Sequence, residues 1–149
     1  MKKAEFINRI SPDAIYFWER SGVSASLTIA QAALESNWGS SKLTILANNL
    51  FGIKGEGPAG GITMLTTEYR SGKAIRINDQ FRKYDTWKQS LSDHTALLLK
   101  KRYRGVIKQT GKKAAYAIQT AGYATDPGYA VKLIALMDRY DLYQYDKKQ

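Results

Sequence analysis

Apolar residues recur at helical spacing through the first third of the chain. Leu27, Ala30, Leu34 and Trp38 fall at i, i+3, i+7 and i+11, one stripe on a helix that Ser26 opens and Gly39 caps. Upstream, Ser11-Pro12-Asp13 reads as another helix start, with Ser11 as N-cap and Pro12 in the first turn. A short helix is predicted over Ser41–Leu46. The cluster Gly55–Gly61 (GEGPAGG) breaks this texture and marks a loop. Beyond it, Ile62–Tyr69 and Ala74–Tyr84 are rich in Ile, Thr, Phe and Tyr, and Ser71-Gly72-Lys73 between them reads as a hairpin turn. The helical period returns at Thr86, where Trp87, Leu91, His94 and Leu98 line one face. Gly111–Ala121 and Gly128–Tyr140 read as two further helices. Helices, one hairpin, then helices predict a mostly helical α+β domain over residues 1–149, with a small β-lobe at about 55–85.

Composition fits that picture. The chain is 44% hydrophobic and 24% charged, normal for a folded domain of 149 residues. It has no cysteine, which excludes disulfides and thiolate chemistry. With a single histidine as well, a transition-metal site is not expected. The net charge of +10 implies an anionic polymer as partner: nucleic acid, membrane or bacterial wall. No phosphate loop, zinc finger or other nucleic-acid signature is present. No membrane-spanning stretch is visible, and Asn8-Arg9 interrupts any signal-peptide core, so the export route is open.

Two carboxylates stand out. Glu35 sits near the C-terminal end of its helix, beside Leu34 and Trp38. The negative end of the helix dipole and an apolar setting both raise a carboxyl pKa, as a glycosidic general acid requires. Glu68, in the first strand, is a candidate second carboxylate, with Glu56, Asp79 and Asp85 as competitors. The aromatic residues, ten Tyr and three Trp, offer platforms for sugar faces; Trp18 and Trp87 read as core, and Trp38 fits either role. His94 falls on an apolar face and does not face its neighbour Asp93, so it reads as a satisfied packing residue. Lys100-Lys101-Arg102-Tyr103-Arg104 and Lys112-Lys113 read as a solvated basic face able to hold an anionic polymer.

Five blocks, in order over roughly Phe6 to Tyr145, carry a resemblance. They are Ala30-Gln31-Ala32-Ala33-Leu34-Glu35-Ser36-Asn37-Trp38-Gly39, Asn48–Lys54 (NNLFGIK), Phe81–Trp87 (FRKYDTW), Ser92-Asp93-His94 and Ala121–Leu133 (AGYATDPGYAVKL). Together they closely resemble glycoside hydrolase family 73, the endo-β-N-acetylglucosaminidases of flagellar muramidase-like domains and autolysins. The resemblance implies a lysozyme-like fold with a β-hairpin lobe over a helical lobe. It also implies cleavage of peptidoglycan glycan strands between N-acetylglucosamine and N-acetylmuramic acid, without a cofactor. It places the catalytic acid on Glu35, the second acidic residue on Glu68, and an active-site tyrosine on Tyr129 in preference to Tyr123. Substrate contacts are expected from Trp38, Asn49, Phe51, Tyr69, Tyr123 and Asp126. Asn37 stands where the motif more often has Gly. A monomer acting outside the membrane, in the wall or periplasm, is expected, with anionic wall polymers as further partners. The competing readings are a muramidase or lytic transglycosylase on the same fold, and a non-catalytic wall-binding module.

Overall fold

The computed structural model describes residues 1–147. In chain order it contains α1 (Lys3–Ser21), α2 (Ala25–Ser36), α3 (Lys42–Ala47), β1 (Gly61–Arg70), β2 (Lys73–Arg82), α4 (Trp87–Leu98), α5 (Gly111–Thr120) and α6 (Tyr129–Tyr140). Single 3-10 turns follow α4, at Lys101–Tyr103, and α6, at Leu142–Asp146. Among the described residues no helix is long and apolar enough to cross a membrane.

The first helix corrects the predicted start at Ser11. α1 begins at Lys3 and runs through Pro12. An internal proline removes one backbone hydrogen bond and costs about 3 kcal/mol. Here Phe6, Ile7 and Ile10 before it and Ala14 and Trp18 after it form one buried stripe. Packing of that stripe on α2 and α4 outweighs the local cost.

α2 is the centre of the molecule. Ten of its twelve residues are buried, so it is packed on all sides rather than amphipathic. Its N-cap is Ser24, not Ser26: the Ser24 hydroxyl accepts from the Leu27 N–H at 3.1 Å. Ser26 instead joins a cluster around Asp146, whose carboxylate accepts from the Ser26 N–H at 2.9 Å and the Gly111 N–H at 3.0 Å. One acidic side chain from the C-terminal turn thus satisfies free donors at the starts of both α2 and α5. The other end of α2 is closed by Asn37, not Gly39. Asn37 and Trp38 both adopt left-handed backbone, at φ 48° and 59°. The preference for Gly at this motif position is the ordinary preference of a left-handed helix cap.

The hairpin matches its prediction closely. β1 and β2 pair antiparallel from Gly61↔Arg82 to Arg70↔Lys73. Ser71 and Gly72, both at positive φ, form the two-residue turn. Ile62, Met64, Thr66 and Glu68 share the half-buried face, and Thr63, Leu65, Thr67 and Tyr69 the exposed one. The Gly55–Gly61 cluster forms the predicted loop. It is stitched to β2 and the residue after it, through Gly55 N–H to Gln80 O, Ala59 N–H to Lys83 O, and Lys83 N–H to Gly60 O.

Candidate active site

Glu35 occupies the last turn of α2 and borders a cleft of about 340 Å³. The remaining walls come from Phe51–Lys54, from Leu97 at the end of α4, from Tyr103, and from Tyr123 and Ala124 ahead of α6. The carboxyl faces the open cleft, yet these walls strip enough water from it to raise its pKa above the ordinary carboxylate value. The Tyr129 hydroxyl opposes part of that rise by donating to Glu35 Oε1 at 3.0 Å. Tyr129 is the first residue of α6, and the start of that helix is pinned twice. Asp126 Oδ1 accepts from the Gly128 N–H at 2.8 Å, and Gln119 Oε1 from the Ala130 N–H at 2.7 Å. Burial and the Glu35 charge hold the Tyr129 phenol protonated, so it acts as a donor.

Glu68 projects from the half-buried hairpin face and is held by Lys54. Lys54 Nζ lies 3.2 Å from Glu68 Oε1 and 2.9 Å from Asp79 Oδ2, while Arg70 approaches Glu68 Oε2 at 3.5 Å. Asp79 also accepts from the Thr66 hydroxyl at 3.2 Å, and Lys54 holds its pKa below the ordinary value. Lys54 is therefore the physical link between the two regions: it lines the Glu35 cleft and grips the hairpin carboxylates. Of the competing acids, Asp79 alone shares this cluster. Glu56 borders a separate pocket with Arg82, Tyr84 and Asp93.

The other candidates divide by geometry. Phe51 and Tyr123 line the cleft. Tyr123 stacks on Tyr129 at 5.9 Å, and Phe51 stacks on His94 at 4.0 Å. Asn49 is 1% exposed and has both ends of its amide engaged. Its Oδ1 accepts from the Phe51, Gly52 and Ile53 N–H groups, and its Nδ2 donates to the Ile53 and Arg82 carbonyls. It shapes the cleft wall rather than meeting a ligand. Trp38 packs edge-on against Phe6 and Tyr140, at 5.6 and 5.0 Å, and does not border the cleft. Tyr69 is 79% exposed on the opposite hairpin face from Glu68. Asp126 pairs with Lys132 at 2.6 Å.

Two contributors carried no expected role. Lys54 and Gln31 both lie inside the motif blocks. Gln31 precedes Glu35 by one helical turn, a spacing that places both on one face. Its amide donates to the Tyr129 hydroxyl at 3.1 Å and accepts from His94 Nε2 at 2.9 Å. Asp93 turns away from His94, to Arg82 at 2.9 Å and to Tyr84, so among the described residues the two form no Ser-His-Asp arrangement.

A carboxyl of raised pKa at a helix end, braced by a tyrosine and facing an aromatic cleft beside a β-hairpin, is the kind of group a glycoside hydrolase uses, and the fold is lysozyme-like. Residues 11–142 match the glucosaminidase family model, described as mannosyl-glycoprotein endo-beta-N-acetylglucosaminidase, and the chain belongs to that family. It is 46% identical to the exo-glucosaminidase LytG of Bacillus subtilis (strain 168), over 95% of this chain and 53% of the relative. It is 41% identical to the peptidoglycan hydrolase FlgJ of Salmonella typhimurium, over 91% of this chain and 45% of the relative. The chain thus spans about half the length of these relatives. Its fold superposes on the catalytic domain of the autolysin Auto from Listeria monocytogenes with a TM-score of 0.90 at 41% identity, covering 97% of this chain and 87% of that one.

Proposed function

We propose that this domain hydrolyses the β-1,4 bond between N-acetylglucosamine and N-acetylmuramic acid in peptidoglycan, with Glu35 as general acid. The observation that carries the proposal is the Glu35 carboxyl itself, raised in pKa by its cleft and steadied through one oxygen by Tyr129. A carboxyl of raised pKa holds its proton to higher pH and can hand it to the glycosidic oxygen as the bond breaks. Tyr123 and Phe51 supply apolar wall for the sugar faces. Glu68, paired with Lys54 of the cleft wall, is the second carboxylate in this reading, activating water or stabilising the oxocarbenium-like charge.

FlgJ is named a peptidoglycan hydrolase and the family description speaks of endo cleavage, whereas LytG is named an exo-glucosaminidase. For this chain we infer endo cleavage at the wall, outside the cytoplasmic membrane. The +10 charge favours encounter with teichoic-acid-like anions and weakens with salt.

Glu35→Gln is expected to abolish lysis of purified walls while circular dichroism and melting stay unchanged. Near-full activity in that variant would overturn the assignment. Mass spectrometry of borohydride-reduced products from the native chain fixes the bond. Reduced N-acetylglucosamine ends support the proposal. Reduced muramic ends indicate a muramidase, anhydromuramic ends a lytic transglycosylase, and wall binding without bond cleavage a non-catalytic module; each of these rejects it.

A further inference from the structure

We infer that Gln31 and His94 are positioning residues, forming a buried one-way donor chain that commits Glu35 Oε1 to Tyr129 and leaves the catalytic proton on Oε2. The inference rests on the proposed role of Glu35 as the acid.

The direction of the chain follows from burial. His94 and Gln31 are both fully buried. His94 has one polar partner, the Gln31 amide, at Nε2; its Nδ1 has none among the described residues. A proton on Nδ1 would be a buried donor with no acceptor, a costlier defect than an idle lone pair. The imidazolium form would add an unpaired charge between Phe51 and Tyr123, and desolvation pushes the His94 pKa down to about 3. The ring is therefore neutral with its proton on Nε2.

That single proton orders the rest. Nε2–H needs an acceptor, so Gln31 turns its oxygen toward His94 and its NH₂ toward Tyr129. The Tyr129 oxygen, already accepting, points its only proton at Glu35 Oε1. Oε1 is occupied as an acceptor, and the exchangeable proton of Glu35 resides on Oε2, which no protein group engages among the described residues. Without the His94 donor, Gln31 is free to rotate by half a turn. Its oxygen would then compete with Glu35 for the Tyr129 proton.

The titratable groups around this chain are few. Tyr123 and Tyr129 face it from the α6 side, Tyr103 from the 3-10 turn after α4, and Lys54 from the wall ahead of the hairpin. None lies between His94 and Gln31.

The test exploits His94 being the sole histidine. Imidazole ¹⁵N spectra of the native chain should show a protonated Nε2 and an unprotonated Nδ1, unchanged between about pH 5 and 8. A proton on Nδ1, or titration in that range, overturns the inference. His94→Phe keeps the stack on Phe51 and removes the donor; His94→Gln restores a donor near the Nε2 position. In His94→Phe, the Glu35 carboxyl followed by ¹³C NMR should titrate at higher pH. Its kcat should fall about tenfold with KM unchanged, and the alkaline limb of the pH profile should move upward. His94→Gln should recover both. An unshifted Glu35 titration in folded His94→Phe assigns His94 to packing alone. Should His94→Phe not fold, Gln31→Met is read in the same way. Glu35→Gln keeps the two proposals apart: surviving lysis rejects Glu35 as the acid, whereas tautomer and carboxyl titration report on the donor chain without reference to catalysis.

Discussion

The Tyr129 hydroxyl donates to Glu35 Oε1 at 3.0 Å, joining the first residue of α6 to the last turn of α2 across 94 positions of sequence. The contact works against the desolvation that raises Glu35, because it stabilises the ionised form. Tyr129→Phe removes it while keeping the ring stacked on Tyr123. The Glu35 pKa then rises further. A general acid is active while protonated, so the alkaline limb of activity moves to higher pH. A hydrogen bond to a charged group is worth about 1.5–3 kcal/mol, so kcat/KM at the optimum falls by roughly ten- to a hundredfold as the carboxyl loses its orientation. A pH–rate profile on a soluble glycan checks both outcomes, and a downward shift of the limb would contradict the first.

Lys54 holds two carboxylates that would otherwise repel, Glu68 at 3.2 Å and Asp79 at 2.9 Å. It is more than half exposed, so Lys54→Met should change stability by less than about 1 kcal/mol. The effect should appear in the site instead. Asp79, held down mainly by Lys54, should titrate at higher pH, and the hairpin carboxylates should separate. Activity is expected to drop several-fold at low salt and to recover partly at high salt, where repulsion is screened. An uncharged soluble substrate isolates this from the salt dependence of wall binding. Equal salt response in variant and native chain would argue against it.

Elements set by local pattern were legible in the sequence. The Ser71-Gly72 turn, the return of helix after Thr86 and the His94 face of α4 depend on neighbours a few residues away, and all three are found where expected. Elements set by distant partners were not. Pro12 reads as a boundary until the α2 and α4 surfaces on which α1 packs are known. Ser26 reads as a cap until Asp146 arrives from the C-terminus. In the candidate site, Glu35 lies at a helix end by its own sequence, but its Tyr129 brace and the Lys54 link are long-range. Asn49 illustrates the remaining gap: a polar residue in a motif block suggests a ligand contact, and only its five internal hydrogen bonds show that the backbone has claimed it.

The end of α2 offers a paired test of backbone strain. Asn37 sits at φ 48° with an exposed side chain. Asn37→Gly relieves the left-handed cost but adds freedom to the unfolded chain, so stability should change by no more than about 1 kcal/mol, with activity intact. Gly39 is different. It stands at φ 79°, and a Cβ there would lie 2.8 Å from the Trp87 ring and 3.3 Å from Phe6. Gly39→Ala should cost about 2–4 kcal/mol from backbone and overpacking together. Urea denaturation of the two variants measures the contrast; equal effects would show that Gly39 is not sterically required.

His94 links the site to acid stability. Its pKa lies near 6.5 when exposed and about 3 in the fold. Between those values the unfolded chain binds a proton that the native chain excludes. Stability from this group is therefore complete above about pH 6.5 and is lost as pH falls toward 3, by roughly tenfold in the folding equilibrium per pH unit. His94→Phe removes that dependence. At pH 7 the variant should be the less stable, since Gln31 loses its buried donor. From about pH 6.5 down to 5, before most carboxylates titrate, its stability should fall less steeply than that of the native chain, and the two curves should converge. Urea midpoints across that window are the measurement. Parallel curves would mean that His94 takes up a proton in the native state, and that the neutral ring inferred from its burial is wrong.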